Sequence, residues 1–446
     1  MKYFNKYIYF ILILFQIISC NSNKITSNYS MYEKIENYQE DENNQYDFEN
    51  KIYKSSIHTV LLHPYGFELG EAILNLNKKD SLLLSFDELD SLPKNYFYTL
   101  IHCNADWTKS NLFETEYLKG FSQELIFEYT NSFNTIQNYV NYRATIPSKN
   151  MIPILSGNYL LIVFEENKKD RPILSKQIMI LNEKINIEAN IKRATILDKR
   201  NYQHEIDFTI KHNGYNINDP FNNLYTVIKQ NNRSDNSIVN LTPVFIKKNE
   251  IIYDYEEENL FDGGNEYRFF DCSSLRYMTE RIKDINISSD SNKIFLFQDK
   301  SRNFQRYSSL NKDINGKKII RTQDGLDFYS ESDYVLIYFT LPYSHKITHG
   351  ELYIHGEISD YGFPDTHKLN YNEELGTYEA KIYLKQGYYN YEYILLKNNG
   401  KTSSSFIEGS HFETINDYII YVYHKENGEE YDQLIGIKKI SSKGLF

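Results

Sequence analysis

Tryptophan occurs once in this 446-residue chain, cysteine three times, methionine five times and proline nine times. So little proline leaves room for long sheet strands, because a proline inside a strand removes a ladder hydrogen bond. No run of lysine or arginine is present, and 60 acidic against 49 basic side chains give a formal net charge of −11. Phosphate backbones are held by clustered cations, so this balance argues against a nucleic-acid partner. No serine sits in a Gly-x-Ser-x-Gly elbow, and no glycine loop is long enough to cradle a phosphate, Gly263-Gly264 being too short. What the chain has in excess is tyrosine, 41 residues of it. Tyrosine favours strands and half-buried faces, and with 19 glycines the composition fits β-sandwiches.

The N-terminus runs basic, then apolar, then small: Met1-Lys2-Tyr3-Phe4-Asn5-Lys6, an apolar stretch from Ile8 to Ile18, and Ser19-Cys20. That is an export signal, too short to be kept as a membrane span. Ile17-Ile18-Ser19 ahead of Cys20 is the pattern of a lipoprotein signal, so Cys20 is expected to become the acylated first residue; an ordinary signal peptide cut nearby is the alternative. Multiple acylation makes a stable anchor, where one chain binds only marginally. Residues 21–50 are Ser/Asn-rich, acidic at Glu40-Asp41-Glu42, and have little to bury. They read as a tether with a reach on the order of 30 Å. An oxidising compartment would permit Cys103 and Cys272 to bridge. They fall in different expected domains, and two small buried residues are the plainer expectation.

The single tryptophan closes Ile101-His102-Cys103-Asn104-Ala105-Asp106-Trp107, behind the apolar run Tyr96 to Ile101. That run reads as a buried strand, Asn104 to Asp106 as a turn, and the stretch through Leu112, Tyr117 and Phe121 as a short helical or looped excursion. Strands are expected at Thr59–Pro64, Ser81–Asp87 and Gly157–Phe164 in a first domain. In a second they fall at Gln203–Ile210, where Ile206, Phe208 and Ile210 alternate, and at Thr226–Asn231. Gly263-Gly264 marks a turn into the strand ending at Asp271, and Asn315-Gly316 signals a tight hairpin in a linking stretch. A third domain is expected from Asp333, with strands through Phe339, Ile354, Tyr383, Tyr393 and Tyr418–Tyr423.

Taken in order, these segments resemble the plug protein family of the Bacteroidota type IX secretion system, from about Thr59 to about Gly436. The marks are His102, Asp106 and Trp107; then Gln230 and Asn231, followed by Arg233, Asp235 and Asn236, with Ser234 where relatives often carry tryptophan. Gly263, Gly264, Asn265, Glu266, Arg268 and Asp271 form the next group, and Gly387, Tyr388 and Tyr389 the last. The last group lies in a region that looks like the early-set immunoglobulin-like domain of glycogen-binding modules. The resemblance implies an all-β chain of tandem immunoglobulin-like or early-set sandwiches. The divisions expected are 1–20 signal, 21–50 tether, 51–183 first sandwich, 184–329 second β domain with a connecting hairpin, and 330–446 C-terminal early-set domain. It also implies a non-enzymatic periplasmic protein, lipid-anchored to the outer membrane, that occludes the periplasmic end of the translocon barrel, with no cofactor and no metal.

Other chemistry has weaker footing. His345 and His349 stand at the i, i+4 spacing of a zinc helix, but Lys346 replaces the glutamate of that motif and Pro342 precedes them. His102 and Cys103, being successive strand residues, point to opposite faces. Asp87, Asp106, Glu266 and Asp271 invite comparison with the paired carboxylates of a glycosidase, yet acids beside Asn, Gly and Ser more simply fix turns. A lipid-anchored carbohydrate-binding protein is the alternative function; it would use the C-terminal domain, where Tyr361 is the aromatic in the relevant loop.

Overall fold

The computed structural model describes residues 47–308 and 313–445. The signal, Cys20 and most of the tether lie outside the described residues. No helix among those described is long and apolar enough to cross a membrane. Three β-sandwiches account for nearly all of the strands, each with its own apolar core.

In the first, Tyr96–Cys103 pairs with Gly157–Glu165, which pairs with Pro172–Leu181. The facing sheet runs Ile57–Pro64, Leu82–Leu89, Tyr139–Ile146 and Glu128–Asn131. Alternate residues Tyr96, Tyr98, Leu100, Tyr159, Leu161 and Val163 point into the core between the sheets, as a period of two requires. Their neighbours Ile101, Cys103, Leu160, Ile162 and Phe164 form a second apolar layer outside, covered in part by Phe48 and Trp107. Coverage on both faces is why Gly157–Phe164 reads as a continuous buried run rather than an alternating one.

The second sandwich joins Asn186–Arg193, Gln203–Lys211, Glu250–Tyr253 and Phe245–Lys247 in one sheet. The other is Ile238–Val239, Leu224–Gln230, Asp417–His424 and Gln433–Ser441. The third packs Arg268–Asp271, Gly387–Lys397, Lys318–Ile320 and Gly350–His355 against Ile282–Ile287, Asn292–Leu296, Tyr334–Pro342, Thr377–Lys385 and Asn370–Asn372. Lys385, Gln386 and Gly387 turn the corner from one of these sheets to the other. Gly387 is needed there because a Cβ would lie 2.5 Å from the Ile319 carbonyl oxygen.

Two expected boundaries fall elsewhere. Tyr418–Tyr423 and Tyr431–Gly436, expected in the C-terminal domain, belong to the second sandwich. Leu224–Gln230 pairs with Asp417–His424 from Leu224 opposite His424 to Gln230 opposite Tyr418, and Tyr418, Ile420, Val422 and Ile435 complete its core. Conversely, Phe270, Ile282, Ile294 and Ile320, expected in the second domain or its linker, fill the core of the third. The division at 329/330 therefore cuts through a core, and the third sandwich is an insertion between strands of the second. Asn315-Gly316 does form a tight turn, with φ of 52° and 80°, but the strand after it pairs with Gly387–Lys397 rather than folding back as a hairpin. Both discrepancies have one cause: periodicity marks a strand but not its partner, which can lie two hundred residues away.

Tyrosine supplies the large side chains of these cores. All twelve of the largest fully buried residues are tyrosines, among them Tyr96, Tyr159, Tyr334, Tyr391 and Tyr418. Most carry the hydroxyl to a partner, as a buried phenol must; Tyr159 donates to the Leu155 carbonyl at 2.9 Å and Tyr139 to that of Ser332 at 2.9 Å.

A fragment spanning 330–446 should fail to fold, since it holds parts of two cores and completes neither. Circular dichroism and a thermal scan are expected to show no cooperative transition; a cooperative melt from that fragment would contradict the insertion topology.

Candidate functional site

The residues singled out in the sequence do not converge on one cleft. Most of them fall on the seams where the sandwiches meet. At the seam of the first and second, His102 is 1% exposed and its ring lies edge-on to Tyr159 at 4.9 Å and to Tyr431 at 5.4 Å. Burial holds its pKa down to about 4, against a hydrogen bond to the Ser156 carbonyl, so at neutral pH it is an uncharged packing ring. Asp106 is exposed and fixes its own turn, accepting from the Thr108 amide at 3.0 Å. Trp107, with φ of 67°, is half-buried between the outer layer of the first sandwich and a small cluster containing Tyr421, Tyr423 and Leu434. Asp432 reaches across to accept from the Ala105 amide at 2.9 Å, and Tyr423 donates to Asn158 at 2.8 Å. Cys103 and Cys272 are both buried free thiols, Cys103 in the first sandwich and Cys272 in the core of the third.

The second and third sandwiches meet where the chain enters and leaves the insertion. Gly263 and Gly264 pass directly against His411. A Cβ on Gly263 would sit 2.0 Å from the His411 carbonyl oxygen, Gly264 has φ of +65°, and the His411 amide donates to the Gly264 carbonyl at 2.9 Å. Only glycine allows that approach. Asn416 donates to the Gly263 carbonyl at 2.8 Å and accepts from Asn231 at 2.7 Å, and Gln230 donates to the Asp262 carbonyl at 2.8 Å. These side chains line a polar cavity of about 220 Å³, with Asn265 on its wall. Glu266 is buried beyond it, accepting from the Ile415 amide at 3.1 Å. Arg268 grips Glu408 and Asp299 at 2.9 and 2.8 Å. Asp271 accepts from the Ser273 amide at 2.9 Å and pairs with Arg321. Tyr388 and Tyr389 lie on the strand paired with Arg268–Asp271, Tyr389 stacked on Phe270 at 5.2 Å.

The seam of the first and third holds residues whose role the sequence did not reveal. Asp87 and Lys385, 0% and 2% exposed, pair at 2.7 Å. The same carboxylate accepts from Tyr334 at 2.7 Å and, through its other oxygen, from Asn141 at 2.7 Å. Burial pushes the Lys385 ammonium below its ordinary pKa while Asp87 opposes the shift. Thr59, at φ of 49°, completes the group by hydrogen-bonding Tyr334 at 2.6 Å. A β-branched residue in the left-handed region is an outlier that surrounding contacts must hold in place. Asp87 therefore does not fix a turn. Two adjacent acids, Asp87 and Glu88, inside a strand that otherwise carries four leucines, a phenylalanine and one serine are the available signal of buried partners. Glu71 joins all three bodies, pairing with Lys317 at 2.9 Å and with Lys439. Burial raises its pKa, but the two lysines outweigh that and leave it lowered.

Glu266 and Asp313 approach each other, but neither lines the seam cavity. A second, mostly apolar cavity of about 350 Å³ holds a single acid, Glu71. Among the described residues, only Glu205, Asp207 and Asp254 bring three candidate metal-ligand atoms together. Lys192 occupies that position at 3.0, 2.6 and 3.8 Å. His345 and His349 are exposed in a loop. Tyr361, the aromatic a sugar would stack on, is half-buried and turned edge-on to His355 at 5.9 Å, so the carbohydrate reading loses its platform.

Two measurements probe the seams. Lys385→Ala leaves the Asp87 carboxylate buried without its cation and should cost about 3–5 kcal/mol in urea unfolding; a loss within error of zero would mean that water reaches the pair. Asp313 is pushed up from 3.8 to about 7, first by burial and then by Glu266. The native state thus retains a proton that the unfolded chain gives up near pH 4, so stability should fall as pH rises from about 4 to about 7, with a slope of up to ~1.4 kcal/mol per pH unit. Asp313→Asn is expected to flatten that slope, and a slope unchanged in the variant would assign it to another group.

A family model described as the type 9 secretion system plug protein 1st domain matches residues 57–182. Among solved structures, a hypothetical protein from Parabacteroides merdae ATCC 43184 is 31% identical, with a TM-score of 0.86 over 89% of this chain and 100% of that one. A serine-rich repeat adhesion glycoprotein from Streptococcus agalactiae overlaps 40% of this chain and 65% of its own at 13% identity, with a TM-score of 0.12. No curated protein matches.

Proposed function

Because this chain belongs to the type IX secretion system plug protein family, we propose that it closes the periplasmic end of the outer-membrane translocon barrel when no substrate occupies it, acting by bulk rather than by chemistry. The observation that supports this reading is the bracing of three sandwiches by ion pairs across their seams, buried where the third sandwich meets the other two. Asp87 and Lys385 tie the first to the third, Arg233 and Glu392 tie the second to the third at 2.8 Å, and Glu71 touches all three. A plug must be wide, stiff and unable to thread. Internally hydrogen-bonded sheets packed at crystal-like density meet that need, and braced seams keep the bodies from separating under load.

In this reading Cys20 carries the lipid, residues 21–50 span the gap from the bilayer, and the protein works in the periplasm on an outer-membrane leash. Reversible release fits an interface that is largely polar with a few aromatic anchors.

A tagged full-length chain should co-purify with the translocon barrel from resting cells and be depleted from barrels loaded with substrate. Deleting the gene should admit large, normally excluded antibiotics in cells that retain the barrel but lack its alternative partner. Unchanged permeability together with absence from barrel preparations in both loading states would end the proposal.

A further inference from the structure

A stopper that works by bulk needs no hollow, yet the seam of the second and third sandwiches encloses a polar cavity of about 220 Å³. Gln230, Asn231 and Asn236 from one group of sequence marks, and Gly263, Gly264 and Asn265 from the next, lie on its wall. Every carboxamide nitrogen of that wall, those of Gln203 and Asn416 included, already donates within the protein. Gln203 donates to the Asp262 carboxylate at 2.8 Å, Gln230 to the Asp262 carbonyl at 2.8 Å, and Asn236 to the Gln230 oxygen at 2.8 Å. These bonds fix which end of each amide is which, because turning Gln203 or Asn236 over would set oxygen against oxygen. The side-chain oxygens of Gln203 and Asn236 are left buried with nothing donating to them. An acceptor without a donor is costly to keep out of water.

Three charged side chains line the cavity: Arg233, Asp262 and Glu392. The guanidinium is already committed, with two nitrogens on Asp235 at 3.0 and 2.7 Å and the third on Glu392 at 2.8 Å. Glu392, 5% exposed, meets Arg233 and His355 through one oxygen, at 2.8 and 3.2 Å. Its other oxygen accepts none of the hydrogen bonds found among the described residues. Asp262 is exposed at the edge. The wall thus sets two carboxylates against one cation, with Asp235 a third carboxylate behind that cation, and its unpartnered groups are oxygens.

We propose that this cavity binds a small protonated amine. An ammonium group carries three donors and no acceptor, so it satisfies free oxygens without adding one, and its charge offsets the excess of carboxylate. A polyol brings lone pairs with each hydroxyl, and an anion meets the acids. A bare metal ion such as calcium needs six to eight oxygen ligands at about 2.3–2.6 Å, whereas among the described residues no three acidic or histidine ligand atoms come together here. The volume lies below the roughly 300–1,000 Å³ of sites for drug-sized ligands, so the guest is only a few carbons long. Gln203, Asn236 and Asp262 belong to the second sandwich and Glu392 to the third. A bound amine would therefore tie the two bodies together beside the Gly263-Gly264 crossing, a role separate from the closure proposed above.

The test is calorimetric titration of the full mature chain with Cys20→Ser, so that no lipid is attached, against 1,4-diaminobutane. Two further probes are 1,4-butanediol, which keeps the length and loses the charge, and calcium chloride, which keeps the charge and loses the carbon chain. One saturable site per chain is expected for the diamine, with the diol bound at least about tenfold more weakly. Glu392→Gln and Asp262→Asn should each weaken the diamine by roughly three- to tenfold. Asp262 is exposed and asparagine keeps an acceptor for Gln203, so that variant decides the matter if the buried one does not fold. No saturable binding of the diamine overturns the proposal, and so does unchanged binding by a folded variant. A diol that binds as tightly would assign the cavity to polyols, and calcium that displaces the diamine would assign it to a metal; either result overturns the amine. The titration contains no barrel, so failure here leaves the plug reading standing.

Discussion

The molecule depends on one crossing. The chain leaves the second sandwich at Gly263-Gly264, builds the whole third sandwich, and returns past the same two glycines at His411 to lay down Asp417–His424 against Leu224–Gln230. Both linkers are hydrogen-bonded to each other and to Asn416, so the insertion hangs from a doubled neck rather than a single flexible strand. A single linker would leave the domains free to reorient, the default for modest interfaces within one chain. Two linkers in direct hydrogen-bond contact remove much of that freedom on their own.

The buried ions act on what freedom is left. Taking Asp87 and Lys385 out of water costs several kcal/mol per ion, and their attraction repays it only with good geometry and further hydrogen bonds. Tyr334 and Asn141 supply those bonds to Asp87, and Tyr329 accepts from Lys385 at 3.0 Å through its carbonyl. Such a group adds little net stability over well-packed apolar side chains, yet it tolerates one relative placement of its partners. The same logic covers Arg233, held between Asp235 and Glu392 at 2.7 and 2.8 Å. The seams specify alignment more than they add adhesion.

Strands were legible from local pattern. Alternation at Ile206, Phe208 and Ile210, and the aromatic run ahead of His102, mark elements the fold contains. The glycine pair was legible as a turn, because only its backbone freedom was needed to say so. That the turn is a crossing point was not, since His411 lies far along the chain and contributes a carbonyl rather than a side chain. Lys385 gave no sign of its partner for a related reason: a lysine at a strand end ordinarily points to water, and Asp87 is nearly three hundred residues away. Tyrosine misled in a smaller way. Its preference for half-buried faces undersold it, because most of the buried hydroxyls meet partners that only the tertiary structure supplies, such as the Asp299 carboxylate shared by Tyr391 and Tyr393 at 2.7 and 2.8 Å.

Stiffness and reversibility pull in opposite directions for the gate proposed above, and in that reading the chain separates them in space. Its internal seams are buried, charged and cross-linked by backbone bonds, properties that suit permanent contacts. Its outer surface holds scattered aromatics such as Phe67, Phe133 and Phe245, each short of the contiguous apolar area that makes an obligate interface. A stiff body held through many weak contacts can be removed whole. On the proposed reading, removal would break the outer contacts and leave the doubled neck and the buried ions intact.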